Sequence, residues 1–130
     1  MPSGGCHCGA IRYTVEGEAE HSALCHCSDC RKSAGAPMVG WALFPADKVR
    51  ITGDPVRYRS SEHATRSFCG TCGTGLFYTS DAIFQGKIDI QTATLDDPDA
   101  YPPTACIQVA EAAHWMEKLP ALPRFARFPG

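Results

Sequence analysis

Residues 68–73 read FCGTCG, a pair of cysteines on a glycine-rich turn. A second close pair lies near the N-terminus in GGCHCG, residues 4–9. Closely spaced cysteines on tight turns can direct their sulfurs at one ion, and the flanking glycines permit the positive φ angles that such turns require. Two such pairs complete one tetrahedral four-thiolate site. The sequence therefore predicts a structural zinc ion held by Cys6, Cys8, Cys69 and Cys72.

This predicted zinc site joins the beginning of the chain to its middle, so it closes a long loop and supplies folding free energy. Structural zinc in small peptides contributes on the order of 10 kcal/mol of apparent binding free energy. The alternatives are buried apolar cysteines, disulfides and an iron–sulfur cluster. Clustering disfavours the first two, and turn-based pairs without a ferredoxin-like run favour zinc over iron and sulfur.

A third cluster lies in CHCSDCRKSAGAP, residues 25–37. It offers only three thiolates, Cys25, Cys27 and Cys30, and a zinc ion with three protein ligands keeps an open position of the kind that catalytic sites have. Three thiolates give such an ion a net charge near −1, which weakens it as an acidifier of water and suits it to holding a substrate thiolate. We predict a catalytic, exchangeable zinc with thiol chemistry at this cluster.

The fourth ligand of this second site has two alternatives within the chain. Cys106, in TACIQVA, could close the site and make the protein structural throughout, although its apolar neighbours are also typical of a core cysteine. His26 lies between two cysteines whose side chains must converge, so we expect its imidazole to point away.

The composition places limits on fold and partners. We expect one domain over residues 1–130, since this length can bury one modest core. A net charge of −2 leaves no positive excess for neutralising phosphates, so nucleic acid is not an expected partner.

The N-terminus lacks a secretory pattern and no stretch is long and apolar enough to span a membrane. We therefore expect a cytoplasmic protein, in which eight cysteines favour metal over disulfides.

Hydrophobic alternation predicts a mainly β chain of short strands with little helix. Breaks at Gly, Pro and Asp separate the candidate strands. The C-terminal PALPRFARFPG, with three prolines, is predicted to lie extended over the core. The candidate strands are residues 11–15, 38–44, 49–52, 56–60, 64–69, 75–79, 87–94 and 105–110.

The ordered motifs GGCHCGAIRY, CHCSDCRKSAGAP, FCGTCGTGLFY and TLDDP resemble the glutathione-dependent formaldehyde-activating enzyme family, which includes centromere protein V. The resemblance implies a β-tent-like fold of stacked, short antiparallel sheets around a structural zinc. It also implies carbon–sulfur lyase chemistry that joins a small-molecule thiol, glutathione, and an aldehyde, formaldehyde, into S-hydroxymethylglutathione. The residues that match are the structural ligands Cys6, Cys8, Cys69 and Cys72 and the catalytic ligands Cys25, Cys27 and Cys30.

The same resemblance leaves a second function open, a non-catalytic, zinc-stabilised protein-interaction module whose second zinc Cys106 closes. The oligomeric state is not determined by these motifs.

Several residues near the three-cysteine cluster have both a functional and a structural interpretation. The basic pair at residues 31–32 could bind substrate carboxylates or form a solvated turn. Trp41 and Phe44 could line a pocket above the metal, although core packing is the commoner role. Asp29 and Tyr78 could carry a proton or serve only as structural polar groups.

Overall fold

The structure is a computed structural model that describes residues 1–129. It contains one α-helix, α1 (Ser28–Ala34), and four 3₁₀ segments, Ala46–Lys48, Thr92–Thr94, Val109–Glu111 and His114–Ala121. The strands of these residues are β1 (Ser3–Gly5), β2 (Arg12–Val15), β3 (His21–Cys25), β4 (Val39–Pro45), β5 (Val49–Thr52), β6 (Val56–Arg59), β7 (Ala64–Phe68), β8 (Gly75–Ser80), β9 (Lys87–Gln91) and β10 (Ala105–Ile107).

The strands form two sheets. A three-stranded sheet has the order β1-β2-β5, and a seven-stranded sheet has the order β10-β3-β4-β9-β8-β7-β6. The named strand pairs are antiparallel except β10, which runs parallel to β3 at one edge of the larger sheet. The mainly β prediction is confirmed.

The main hydrophobic core lies between the two sheets. Because successive side chains of a strand point to opposite faces, Ala42 and Phe44 of β4 enter this core while Trp41 and Leu43 point to the other face. Cys6 and Cys69 are part of the same core, so the first cysteine pair and the FCGTCG turn meet at its edge. The main core also contains Ile11, Tyr13, Val15, Leu76, Phe77, Ile88, Ile90 and Leu95.

The opposite face of the larger sheet carries a second, smaller apolar cluster. It consists of Cys25, Cys30, Val39 and Trp41, with Cys27 and Tyr78 packed against it. In the β3–β4 pair, Cys25 lies across from Val39 and Ala23 lies across from Trp41. Directly opposed side chains share a face, so Cys25 and Trp41 lie on the same face of the sheet. The three-cysteine cluster therefore lies on the side of the larger sheet away from the main core.

Besides the 3₁₀ segments, two strands and the α-helix were not predicted from the sequence. Strand β1 is SGG and has no apolar alternation. Strand β3 does not alternate, because Ser22 is buried and its hydroxyl donates to the carbonyl oxygen of Tyr101 at 2.9 Å. Helix α1 is a seven-residue element, too short to show a helical period. Each of the candidate strands is present, with ends that differ by at most three residues.

The prediction that the C-terminal segment covers the core is wrong for its described residues. His114–Ala121 is a 3₁₀ segment, and Trp115, Leu122, Phe125 and Phe128 are exposed. Proline lacks the N–H that a strand needs to join a sheet, so this segment has few ways to attach to the β core. Gly130, its last residue, lies outside the described residues. Over residues 1–129, none of the helices has the length and apolar character required to cross a membrane.

Candidate metal centres and active site

The first cysteine cluster brings two distant loops together. Cys6 and Cys8 follow β1, and Cys69 and Cys72 lie between β7 and β8. The four sulfurs lie within 4.8 Å of one another. Three glycines directly follow cysteines of this cluster. Gly9 and Gly73 have the predicted positive φ angles, +84° and +83°, whereas Gly70 does not.

The sulfur spacing fits a tetrahedral zinc ion. The Sγ atoms of Cys6 and Cys8 are 3.6 Å apart, and those of Cys8 and Cys69 are 3.8 Å apart. Zinc–sulfur bonds of about 2.3 Å in a tetrahedron place the sulfurs about 3.8 Å apart. Backbone N–H groups of Ile11 and Thr71 donate to the sulfurs of Cys6 and Cys69 at 3.2 and 3.4 Å. This cluster could hold a metal ion.

The second cluster is assembled where β3 passes into α1. Cys25 ends β3, Cys27 is the N-cap of α1, and Cys30 is the buried residue of that helix. The backbone N–H of Cys30 donates to the Cys27 sulfur at 3.3 Å, so the cap itself draws these two side chains together. The three sulfurs lie within 4.8 Å of one another. The helix that the sequence did not predict thus gives the CxCxxC motif its convergent geometry.

The three thiols have different acidities. Burial raises the pKa of Cys25 to about 12, and burial also raises the pKa of Cys27. Burial acts in the same direction on Cys30, but hydrogen bonds from Arg66, Cys27 and Trp41 outweigh it and lower the pKa of that thiol. The Arg66 Nη2 atom donates to the Cys30 sulfur at 3.6 Å. Cys30 is therefore the thiol of this cluster that most readily ionises.

Neither alternative fourth ligand joins this cluster. In the parallel β10–β3 pair, Cys106 is in register with Leu24, whose side chain points to the opposite face from Cys25. Cys106 is exposed and is not part of the sulfur group. The His26 side chain, buried beside Cys25, is not in the group either, as its position between two ligands predicts. Residues 1–129 therefore supply the three-cysteine cluster with no fourth Cys, His, Asp or Glu ligand.

Replacement of Cys106 by alanine should leave the metal content unchanged. We expect two zinc ions per chain in the variant and in the unchanged protein, and a change in unfolding free energy within about 0.5 kcal/mol, since the side chain is exposed. Elemental analysis by mass spectrometry measures the metal, with Cys27→Ala as the matched variant that should lose one ion. A loss of one ion from Cys106→Ala would show that this cysteine is a ligand after all.

A cavity of about 460 Å³ opens directly above the three cysteines. Trp41 and Tyr78 form one wall with their rings 6.0 Å apart and edge to face. Phe44, the other aromatic candidate, lies in the main core on the opposite face of the sheet. The cavity is large enough to hold a small organic molecule. The lining also includes Ala23, Ile83, Phe84, Ala105 and Ile107.

A family model described as glutathione-dependent formaldehyde-activating enzyme matches residues 1–111. This match ends at the close of the 3₁₀ segment Val109–Glu111 and includes both cysteine clusters. The chain belongs to this family.

Individual relatives agree with this assignment. An uncharacterized lyase of Schizosaccharomyces pombe is 30% identical over 112 residues, which cover 75% of this chain and 82% of that protein. A putative glutathione-dependent formaldehyde-activating enzyme of Talaromyces marneffei is 34% identical over 77 residues, or 55% of this chain and 41% of that protein.

The fold also has a counterpart among solved structures. The crystal structure of a Rhodobacter sphaeroides protein has a TM-score of 0.61, with 24% identity over 73% of this chain and 88% of that chain. At this identity the likeness concerns the fold alone.

In this member of the formaldehyde-activating family, the cavity cation is Arg66 of β7 and not the basic pair of α1. The Arg31 Nε atom donates to the carbonyl oxygen of His26 at 3.2 Å, and Lys32 is exposed; neither lines the cavity. The Arg66 guanidinium lies 5.1 Å from the centre of the Tyr78 ring and contacts Cys30. Nothing in ATRSF distinguishes this arginine from a surface residue, so sequence patterns could not identify it.

A second cavity residue that the sequence analysis missed is Asp89 of β9. It is 6% exposed and lines the cavity. The signal was present in KIDIQ, where one carboxylate stands between two buried isoleucines. Asp29, which sequence reasoning did single out, also lines the cavity but is exposed to solvent. The family member therefore has one buried carboxylate above its three-cysteine cluster.

Proposed function

We propose that this chain is a zinc-dependent enzyme of carbon–sulfur chemistry, which joins a thiol to an aldehyde or cleaves the adduct. Glutathione and formaldehyde, the pair in the family description, are the first substrates to test. One observation carries the proposal: Cys25, Cys27 and Cys30 converge below a cavity of about 460 Å³, while Cys106 points to the other face of the sheet.

The donor set at this site suits zinc. Three sulfurs within 4.8 Å of one another match soft, tetrahedral coordination, and they would hold the ion at the inner end of the cavity. When bound there, zinc supplies a Lewis-acidic position that favours the thiolate form of an incoming thiol. In the proposed reaction the thiol and the aldehyde both bind in the cavity that Cys25, Cys27 and Cys30 line.

The residues around the cluster then have distinct tasks. The Arg66 guanidinium offsets the negative charge of the thiolates through its contact with Cys30. Trp41 and Tyr78 pack against the cysteines and exclude water from one side of the cavity. The first cluster would hold a structural zinc that ties the N-terminal loop to the β7–β8 turn.

The experiment that tests this function compares the zinc-loaded protein with Cys27→Ala and Cys106→Ala. Two-dimensional exchange NMR measures the rate at which glutathione and formaldehyde interconvert with S-hydroxymethylglutathione. We expect the unchanged protein and Cys106→Ala to accelerate this exchange above the uncatalysed rate, and Cys27→Ala to do so not at all. In parallel, glutathione should change the visible spectrum of cobalt-substituted protein, because a thiol enters the coordination sphere.

Two results would contradict the proposal. One is an exchange rate equal to the uncatalysed rate across glutathione and smaller thiols such as cysteamine and 2-mercaptoethanol. The other is a cobalt spectrum that none of these thiols changes. Either result would favour the non-catalytic, zinc-stabilised module as the function of the chain.

A further inference from the structure

Asp89 is a buried carboxylate at the wall of the active-site cavity. In the sheet it lies across from Leu43 on β4 and from Tyr78 on β8, and directly opposed side chains share a face. It therefore points to the face that carries the three cysteines and away from the main core. Its side chain is 6% exposed, yet it lines the cavity. A substrate bound in the cavity would therefore contact the Asp89 side chain.

The carboxylate lacks the partners that a buried charge ordinarily has. Its Oδ1 atom is buried and has no hydrogen-bond partner among residues 1–129. A charge left in this condition is costly, so such groups are often found where their chemistry is used. The unpartnered Oδ1 atom is therefore a second, independent observation that this wall of the cavity binds a ligand.

Among residues 1–129, no charged or titratable group around Asp89 donates a hydrogen bond to its buried Oδ1 atom. Strand β3 presents His21, whose ring packs against Phe84, and β8 presents Tyr78. Arg66 of β7 donates to the Cys30 sulfur. Strand β4 carries no charged or titratable side chain, and on β9 itself Lys87 pairs with Glu20 at 2.6 Å.

Burial raises the pKa of Asp89 to about 6, and the nearby His21 acts in the opposite direction. Both protonation states are therefore accessible close to neutral pH, which is the condition for moving a proton in both directions. Tyr78 is a poorer candidate for this task, because burial raises its phenol pKa above the usual value. Asp29 is exposed to solvent and lacks this environment.

We propose that Asp89 is the proton carrier of the thiol–aldehyde reaction, taking the proton that the thiol releases and giving it to the aldehyde oxygen. This inference rests on the proposed function. In the forward direction the sulfur forms a bond to the carbonyl carbon, the carbon–oxygen π pair moves to oxygen, and the carboxylic acid protonates that oxygen. The thiol proton is thus the proton of the product hydroxyl, and no oxidant or reductant takes part. The reverse reaction uses the same carboxylate to remove the hydroxyl proton.

The test compares Asp89→Asn with Asp47→Asn, a control at an exposed residue of the 3₁₀ segment Ala46–Lys48 that does not line the cavity. With glutathione and formaldehyde as probes, Asp89→Asn should lower kcat by roughly 10²-fold or more, the usual contribution of a general acid–base group. The KM for glutathione should change less than about threefold. The unchanged protein should lose kcat/KM as the pH falls through about 6, and Asp89→Asn should lack this limb.

A second readout does not depend on turnover. Infrared difference spectra of the zinc-loaded protein should show a protonated carboxyl band with a midpoint near pH 6 that is missing in Asp89→Asn. Absence of this band, or an unchanged pH profile in an active Asp89→Asn variant, would overturn the role of Asp89 alone. So would a variant with unchanged kcat and a raised KM, which would assign Asp89 to substrate binding. Absence of turnover in the unchanged protein would overturn the proposed function and this inference together.

Discussion

Cys69→Ser should deprive the protein of a stable fold at 25 °C. Cys69 is 1% exposed, belongs to the main core and lies in the four-sulfur cluster, so serine removes a zinc ligand and leaves a hydroxyl inside the core. Structural zinc in small peptides is worth on the order of 10 kcal/mol, whereas whole domains are stable by about 5–15 kcal/mol. Loss of most of the zinc-binding free energy therefore leaves the domain with little stability.

The measurement is far-ultraviolet circular dichroism with urea titration, together with zinc content per chain. Cys106→Ser is the matched control, because Cys106 is exposed and outside both sulfur clusters, and its unfolding free energy should stay within about 0.5 kcal/mol of the unchanged protein. If Cys69→Ser unfolds at the same urea concentration as the control, the first cluster contributes nothing to folding and its structural role is wrong.

Asp89→Asn should make the protein more stable than the unchanged chain at pH 8, and the gain should shrink as the pH falls. Burial raises the Asp89 pKa to about 6 from 3.8, so the folded state holds its proton more tightly than the unfolded state. Below about pH 4 both states are protonated and the charge costs nothing. Stability falls as the pH rises through the window between the two pKa values, and the full cost, up to roughly 3 kcal/mol, is present above pH 6.

The comparison is best made between pH 5 and pH 8, where roughly 1.4 kcal/mol of this change is expected. The difference in unfolding free energy between Asp89→Asn and the unchanged protein should grow by that amount over the interval, while Asp47→Asn should show no such trend. Effects of pH on the zinc thiolates are common to all three proteins and cancel. Parallel stability curves for Asp89→Asn and the unchanged chain would show that the carboxylate is not held in a desolvated site. This result concerns stability alone and does not depend on the proposed reaction.

The two clusters have different relations to the fold. The four-sulfur cluster lies at the edge of the main core and joins loops that are more than 60 residues apart, so a metal ion held there would be linked to global stability. The three-sulfur cluster lies on the other face of the larger sheet, where β3 passes into α1. Metal could leave this second site while the main core stays packed, which agrees with the expectation of an exchangeable ion.

Sequence patterns predicted most strands because half-buried strands alternate, and this alternation is a local property. They missed β3 because Ser22 occupies a buried position and satisfies its hydroxyl through Tyr101, a partner 79 residues away. They missed α1 because a seven-residue helix is stabilised by its cap and its packing and not by a periodic pattern. They placed the C-terminal segment on the core because it contains several apolar residues. Apolar content shows that a segment could be buried, but whether the fold has a surface that can bury it is decided by tertiary structure.

The cysteine spacings alone determined the local groups, the two pairs and the triplet, because ligands on one turn are held close by a few covalent bonds whatever the rest of the chain does. The fold then brought the two pairs, which are more than 60 residues apart, into one four-sulfur cluster. The fold decided what surrounds them. Whether Cys106 could reach the second cluster depended on the register of β10 against β3, and a shift of one residue would have turned it to the other face. Arg66 and Asp89 lie on strands β7 and β9, which are distant in sequence from the three cysteines. Only the pairing of these strands in one sheet with β3 brings both side chains to the cavity above the three thiols.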